Sequence, residues 1–324
     1  MIKMITKFNN NMPVSSIIKI DDKITNVSFY DGSQSINDAD NKICLLNKLI
    51  SKNDVVLLND IQKHMVAFDI HPNMDNTYSI NSIDDDQATW RNLWAKGEFE
   101  AYKLSHNDII IDSNVTIRPN YEIKENGRLY SDVQSVDSNV IKPNIGYDIY
   151  NIDWVGANVY MVAHLCNSNY KNGDNIYEEM TGHKNDDIKI KVLSDISSMN
   201  IDSNILPKEF ILFIAESFES LDEGKPIYTL NKMPIIAKGK TLKDIRSAFS
   251  NMIMASVAEC MHYIYYEIYK QYGNIIIVDR HDEIIIETPQ LNEGASDNLL
   301  LQIKNIMEHP CDIKMPARIN KGKL

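Results

Sequence analysis

The chain has 324 residues, of which 44% are hydrophobic and 24% charged, and its formal net charge is −12. This is globular composition, long enough for one large domain or two modest ones, and it excludes a disordered chain. The acidic balance excludes a uniformly basic nucleic-acid coat, although local basic patches can offset acidic surface elsewhere.

Residues 1–85 read as a small α/β unit. Ser16–Ile20 and Ile24–Tyr30 are strand-like, and Asp38–Ile50 carries a helical stripe at Ile43, Leu45, Leu46, Leu49 and Ile50. Val55–Leu58 fits a buried strand, and the Asp/Asn/Ser-rich stretch Asn73–Asp86 a loop or boundary. Residues 86–115 hold a helix over Gln87–Leu104, with Trp90, Leu93 and Trp94 on one face, and a short strand at Asp108–Asp112. Residues 116–150 are rich in turn signals. Tyr147–Asp153 is a strand that ends on an acid, and Trp154–Asn167 follows with helical spacing at Val155, Val159, Val162, Ala163 and Cys166. Residues 183–224 read as two or three short helices, Pro226–Ile236 as a hairpin and Leu242–Tyr272 as a long helix. Tyr263, Tyr265, Tyr266 and Tyr269 near its end fit core and rim packing better than a base-stacking platform.

The stretch Ile275–Pro289, IIIVDRHDEIIIETP, places two β-branched runs around a charged centre, as in a β-hairpin with an acidic tip. That tip is either a solvated turn or a metal site, since burying Asp282 beside Glu283 costs several kcal/mol without a compensating partner. Ala295–Glu308 is a helix and Asp312–Ile319 a last strand, and no internal repeat is found. Cys44, Cys166, Cys260 and Cys311 form no CxxC pair, so neither a zinc site nor a disulfide framework is read and a reducing cytoplasm is expected. No apolar run approaches the roughly 20 residues of a membrane span, so no membrane partner is expected. The start MIKMITKFNNNMP lacks the apolar core of a signal peptide.

Asp153 at a strand end and Asp282 at a hairpin tip are two carboxylates that one sheet could bring together around divalent cations. Spacing alone is weak support in a chain with 45 acidic residues. The context is more specific. Arg118-Pro119-Asn120-Tyr121 and Asn126-Gly127-Arg128-Leu129-Tyr130-Ser131, then Asp153–Leu165 (DWVGANVYMVAHL), then the helix from Arg246 through Ala248-Phe249 and Ala255–Glu259, then His281-Asp282-Glu283 follow one another in order. In this order they resemble the polymerase domain of family A DNA polymerases: the TGRLSS element, motif A, the R-x-A-F-N…QGTAAD helix and motif C.

The resemblance implies an α+β fold, a palm of antiparallel sheet backed by helices over residues 116–324, with reduced fingers at about 183–225. Residues 86–115 would be a short thumb-like or linker segment. Residues 1–85 would be a remnant of a 3′–5′ exonuclease domain, with Leu58-Asn59 as its trace and Lys63 where a metal-binding Asp belongs. It also implies template-directed addition of deoxynucleoside triphosphates to a primer 3′ end. Asp153 and Asp282 would hold two Mg²⁺ ions, for which Mn²⁺ can substitute, with the Trp154 carbonyl as a further ligand and Glu283 in support. Arg128, Arg246 and His281 would contact primer-template DNA. Asn158, Lys189 and Lys191 would face the nucleotide, the lysines as point charges on phosphate.

The departures from the family are equally specific. Asn158 stands where the family has a Glu against the sugar, so ribose selection is expected to be weak. The stretch Asn185–Ser198 keeps only Lys189 of the motif B pattern, with Leu193 in place of the aromatic, and Met254 replaces the Gln of QGTAAD. These changes predict weak nucleotide selection or dependence on a processivity or replisome subunit, in the cytoplasm of a bacterial or phage-infected cell. The degenerate motif B and the short thumb segment also motivate a rival expectation, a non-catalytic polymerase-like subunit that binds primer-template DNA or a replication partner, and the same two aspartates allow a third, a metal-dependent nuclease.

Overall fold

The computed structural model describes residues 2–9, 12–20, 23–24, 29–30, 35–36, 68–72, 78–82, 85–111, 115–124, 126–183 and 185–321. The expected helix Asp38–Ile50, the strand Val55–Leu58 and the Leu58-Asn59 element with Lys63 lie outside these residues. The chain divides into Met1–Tyr102 and Lys103–Leu324.

In the first unit β1 (Ile2–Asn9) and β2 (Met12–Ile20) form an antiparallel hairpin, extended by β3 (Lys23–Ile24). β4 (Phe29–Tyr30) pairs with β5 (Ser35–Ile36), and β6 (Phe68–Pro72) with β7 (Tyr78–Ser82). The strand β7 corrects the expected loop over Asn73–Asp86. Helix α1 (Asp85–Leu104) begins two residues before its expected start.

The second unit is built on one antiparallel sheet, in the order β16 (Ile276–Asp279), β17 (Glu283–Pro289), β13 (Tyr147–Trp154), β18 (Ala317–Lys321). Its β-branched runs follow from burial on both faces. Ile276, Ile277 and Val278 of β16 and Ile284, Ile285 and Ile286 of β17 are all buried, as is Ile152 on β13. Smaller sheets join β8 (Ile109–Ile111) to β9 (Val115–Ile117) and β12 (Ile141–Lys142), and pair β10 (Glu122–Ile123) with β11 (Leu129–Tyr130).

Helix α2 (Ala157–Leu165) is shorter than expected, because Trp154 completes β13 and Gly156 turns the chain at φ 76°. A Cβ on Gly156 would lie 2.9 Å from the Tyr177 ring, so both the backbone and the packing demand glycine there. α3 (Ile176–Thr181) comes first, and α4 (Asp186–Ser197) and α5 (Lys208–Asp222) are the short helices expected of 183–224. The hairpin β14 (Ile227–Tyr228) to β15 (Pro234–Ile235) precedes α6 (Leu242–Tyr272).

α6 runs 31 residues between a Thr241–Asp244 capping box and Gly273 at φ 75°. It is buried around most of its circumference, as a central helix should be, and α2, α4, α5 and the β14–β15 hairpin pack on it. Tyr265, Tyr266 and Tyr269 are core residues, in keeping with the packing expectation. α7 (Glu293–Glu308) packs on α6, β13 and β18, and Trp154 Nε1 donates to the Met307 carbonyl at 2.6 Å. The last strand starts five residues later than expected. Cys311 and Asp312 adopt left-handed backbone, with φ 49° and 62°, and this turns the chain before Pro316 releases it into β18.

Candidate active site

The ladder register sets Asp153 against the start of β17, next to the turn that carries Asp282. Asp153 lies opposite Glu283 on β17, and the Trp154 backbone N–H donates to the Asp282 carbonyl at 2.9 Å. A one-residue slip would turn every side chain of β13 to the other face, so the buried Ile152 locks Asp153 where it is. The turn between β16 and β17 is sharp. His281 sits at φ 68°, and its backbone N–H donates to Asp279 Oδ1 at 3.2 Å, while Asp282 N–H donates to the Arg280 carbonyl at 2.8 Å.

Asp282 is exposed at this turn. The surrounding protein nevertheless raises its pKa, first by desolvation and then through the negative charges of Asp153 and Glu283, while Arg128 acts in the opposite sense. Glu283 is held by a structural network: its Oε1 accepts from Asn151 Nδ2 at 2.9 Å, Ser138 Oγ at 3.3 Å and Arg280 Nη1 at 3.4 Å. Arg280 also donates to Ser138 Oγ and to the Val136 carbonyl.

A cavity of about 130 Å³ opens beside the turn. Arg128, Asn158, Met254, His262, His281 and Asp282 are among its walls. Residues from four separate sequence elements thus meet at one place. Gly127, at φ 76°, makes the turn that delivers Arg128, and its carbonyl accepts from His262 Nε2 of α6 at 2.6 Å. Arg128 donates to Met254 Sδ and lies 5.5 Å over the Tyr130 ring, whose edge packs on His281 at 5.6 Å between centroids. Desolvation and the nearby Arg128 push the His281 pKa down to about 4, so the imidazole is neutral at pH 7. The loop after Arg128 is tied to the same turn: Gln134 Nε2 donates to the Leu129 and Asp279 carbonyls at 3.1 and 3.3 Å, and Tyr121 Oη bridges the backbone of Asp279.

The remaining expected residues do not line the cavity. Lys189 and Lys191 are exposed on α4, where Lys191 Nζ donates to Asn204 Oδ1 at 3.3 Å. Arg246 is exposed in the second turn of α6. A further residue belongs to the site without any motif to mark it. Arg318 of β18, directly opposite Asp153, donates from Nε to both carboxylate oxygens at 2.8 and 3.0 Å and pairs through Nη2 at 2.8 Å. Only the strand register reveals this partner, since 165 residues separate the two in sequence.

Asp153 and Asp282 are the carboxylates that could hold a divalent cation. Asp153 already accepts a cation in the form of a guanidinium, and Asp282 bears the repulsion of two neighbouring carboxylates that a positive ion would relieve. Among the described residues no group of three or more His, Cys, Asp or Glu converges on one point.

No family model matches the chain, and no curated protein matches it. A solved structure described as the POL domain of Pol1 from M. smegmatis, in complex with DNA primer-template and dNTP, is similar with a TM-score of 0.48 and 13% identity. The match covers 81% of this chain and 58% of that one, so this chain spans less than two thirds of that structure. No described helix is long and apolar enough to cross a membrane.

Proposed function

We propose that the chain adds deoxynucleotides to a primer 3′ end on a DNA template. One observation carries this reading: the four elements that resemble the family A pattern, scattered from Asn126 to Glu283, bring Arg128, Asn158, Met254, His281 and Asp282 to one cavity, and Asp153 lies in the ladder opposite Glu283, the residue after Asp282. In this reading Asp153 and Asp282 hold divalent metal, Mg²⁺ or Mn²⁺, which when bound polarises the reacting phosphate and favours the attacking and leaving oxygens. Arg128 and the neutral His281 position the primer terminus from the cavity wall. Asn158, exposed in the first turn of α2, faces the sugar and is too short to exclude a 2′-hydroxyl as a glutamate would. Glu283 positions the turn through Asn151, Ser138 and Arg280. Arg246 and the exposed lysines of α4 meet DNA and triphosphate outside the cavity.

The test is extension of a labelled primer on a DNA template with Mg²⁺ or Mn²⁺. Extension by the wild-type chain, lost in Asp153→Ala and in Asp282→Ala, is the expected result. No extension under either metal, alone or with replication partners, overturns it. A second reading, a polymerase-like subunit that binds primer-template DNA without extending it, is favoured by the Arg318 pair that already neutralises Asp153. It predicts duplex binding that survives Asp282→Ala.

A further inference from the structure

We propose that Arg318 competes with divalent metal for Asp153, so that the affinity of the site for cations is set by an arginine on the neighbouring strand. This rests on the polymerase reading above, in which Asp153 is a metal ligand.

Three features carry it. First, the contact is bidentate: both oxygens of Asp153 accept from the guanidinium, so a cation that binds either oxygen meets Arg318 there. Second, the two partners differ in freedom. The Arg318 side chain is 65% exposed and can withdraw into solvent, whereas that of Asp153 is 16% exposed and fixed by the β13 ladder. Third, the pairing is written into the backbone. Asp153 and Arg318 are opposite one another in the β13–β18 register, and a side chain so placed returns to the same carboxylate whenever it is not displaced. A pair whose arginine stands in solvent is weak enough to yield to a divalent ion and strong enough to weaken its binding. Arg318 is thus a positioning residue that acts through Asp153.

Binding of Mn²⁺, followed by electron paramagnetic resonance of the free ion without DNA or nucleotide, reads this directly. Arg318→Ala and Arg318→Gln should bind Mn²⁺ about fivefold more tightly than wild type, the equivalent of ~1 kcal/mol. Arg318→Lys, which keeps the charge, should stay near wild type, and adding Asp153→Ala to Arg318→Ala should abolish the gain. Binding by Arg318→Ala and Arg318→Gln no tighter than wild type overturns the proposal. If Asp153→Ala weakens Mn²⁺ binding in that case, Asp153 remains a metal ligand and only the role of Arg318 falls. If Asp153→Ala has no effect either, the metal reading of the site falls with it.

Discussion

The β13–β17 platform and the α3–α5 segment face the same task in opposite ways. On the platform, ladder hydrogen bonds and an isoleucine core dictate where each polar side chain lies. Asp153, Asp282 and Glu283 have no freedom of register, because Ile152 and Ile284–Ile286 would have to leave the core with them. In α3–α5 the helices are short and solvent-covered on one side. Ile190 and Leu212 stay exposed there, and Lys189 and Lys191 lie outside the cavity. In the proposed reading the chemistry therefore belongs to the sheet and its turn, while the short helices contribute a surface.

The contrast breaks most visibly in kinetics. Asp153→Ala and Asp282→Ala should each lower primer extension by roughly a hundredfold or more, the scale of losing a group that stabilises charge in the transition state. Lys189→Ala with Lys191→Ala should instead raise the nucleotide KM about fivefold and leave kcat near wild type, as expected for exposed charges. A steady-state nucleotide titration separates the two. An equal loss of kcat from both regions would erase the distinction.

Stability offers the next test. Glu259 of α6 is buried, and it accepts from Thr229 Oγ1 at 2.6 Å and from Asn231 Nδ2 and N–H at 3.0 and 3.1 Å, tying the β14–β15 hairpin to the central helix. Burial raises its pKa. Glu259→Ala should destabilise the fold by about 2–4 kcal/mol in denaturant titration, since it strands buried donors. Glu259→Gln, which keeps an oxygen acceptor, should cost less. Gly156→Ala should follow at about 1–3 kcal/mol, because it forces a Cβ into left-handed backbone and against Tyr177.

The smallest effect concerns pH. The folded pKa of His281, about 4, lies below its ordinary 6.5, so the unfolded chain takes up the proton first. Its contribution to stability is therefore whole above pH 6.5, declines as pH falls toward 4 and stays lost below. Denaturation midpoints of wild type and His281→Gln should diverge across that window, with the variant less sensitive. Parallel curves would show that His281 is not desolvated in the folded chain.

Much of this architecture is legible in the amino-acid sequence alone. The long helix Leu242–Tyr272 is legible to the residue, because a capping box and a glycine bound an unbroken apolar pattern. The strand that carries Asp153 is legible to within one residue of its end, and the HDE hairpin is legible from its β-branched runs. The start of β18 is not, since left-handed backbone at Cys311 and Asp312 leaves no mark in apolar periodicity. Nor is the Asp153–Arg318 pair, which arises from register between strands far apart in sequence. Lys189 of α4 matches a sequence pattern, but nothing local to it or to Lys191 fixes a direction toward the cavity.

The decisive measurement is a crystal structure with primer-template DNA, a deoxynucleoside triphosphate and Mg²⁺. The expected result is metal shared by Asp153 and Asp282, Arg318 withdrawn from Asp153, and the primer 3′ end against Arg128 and His281. Nucleic acid bound elsewhere, with Asp153 still held by Arg318 and no metal between the two aspartates, would contradict it.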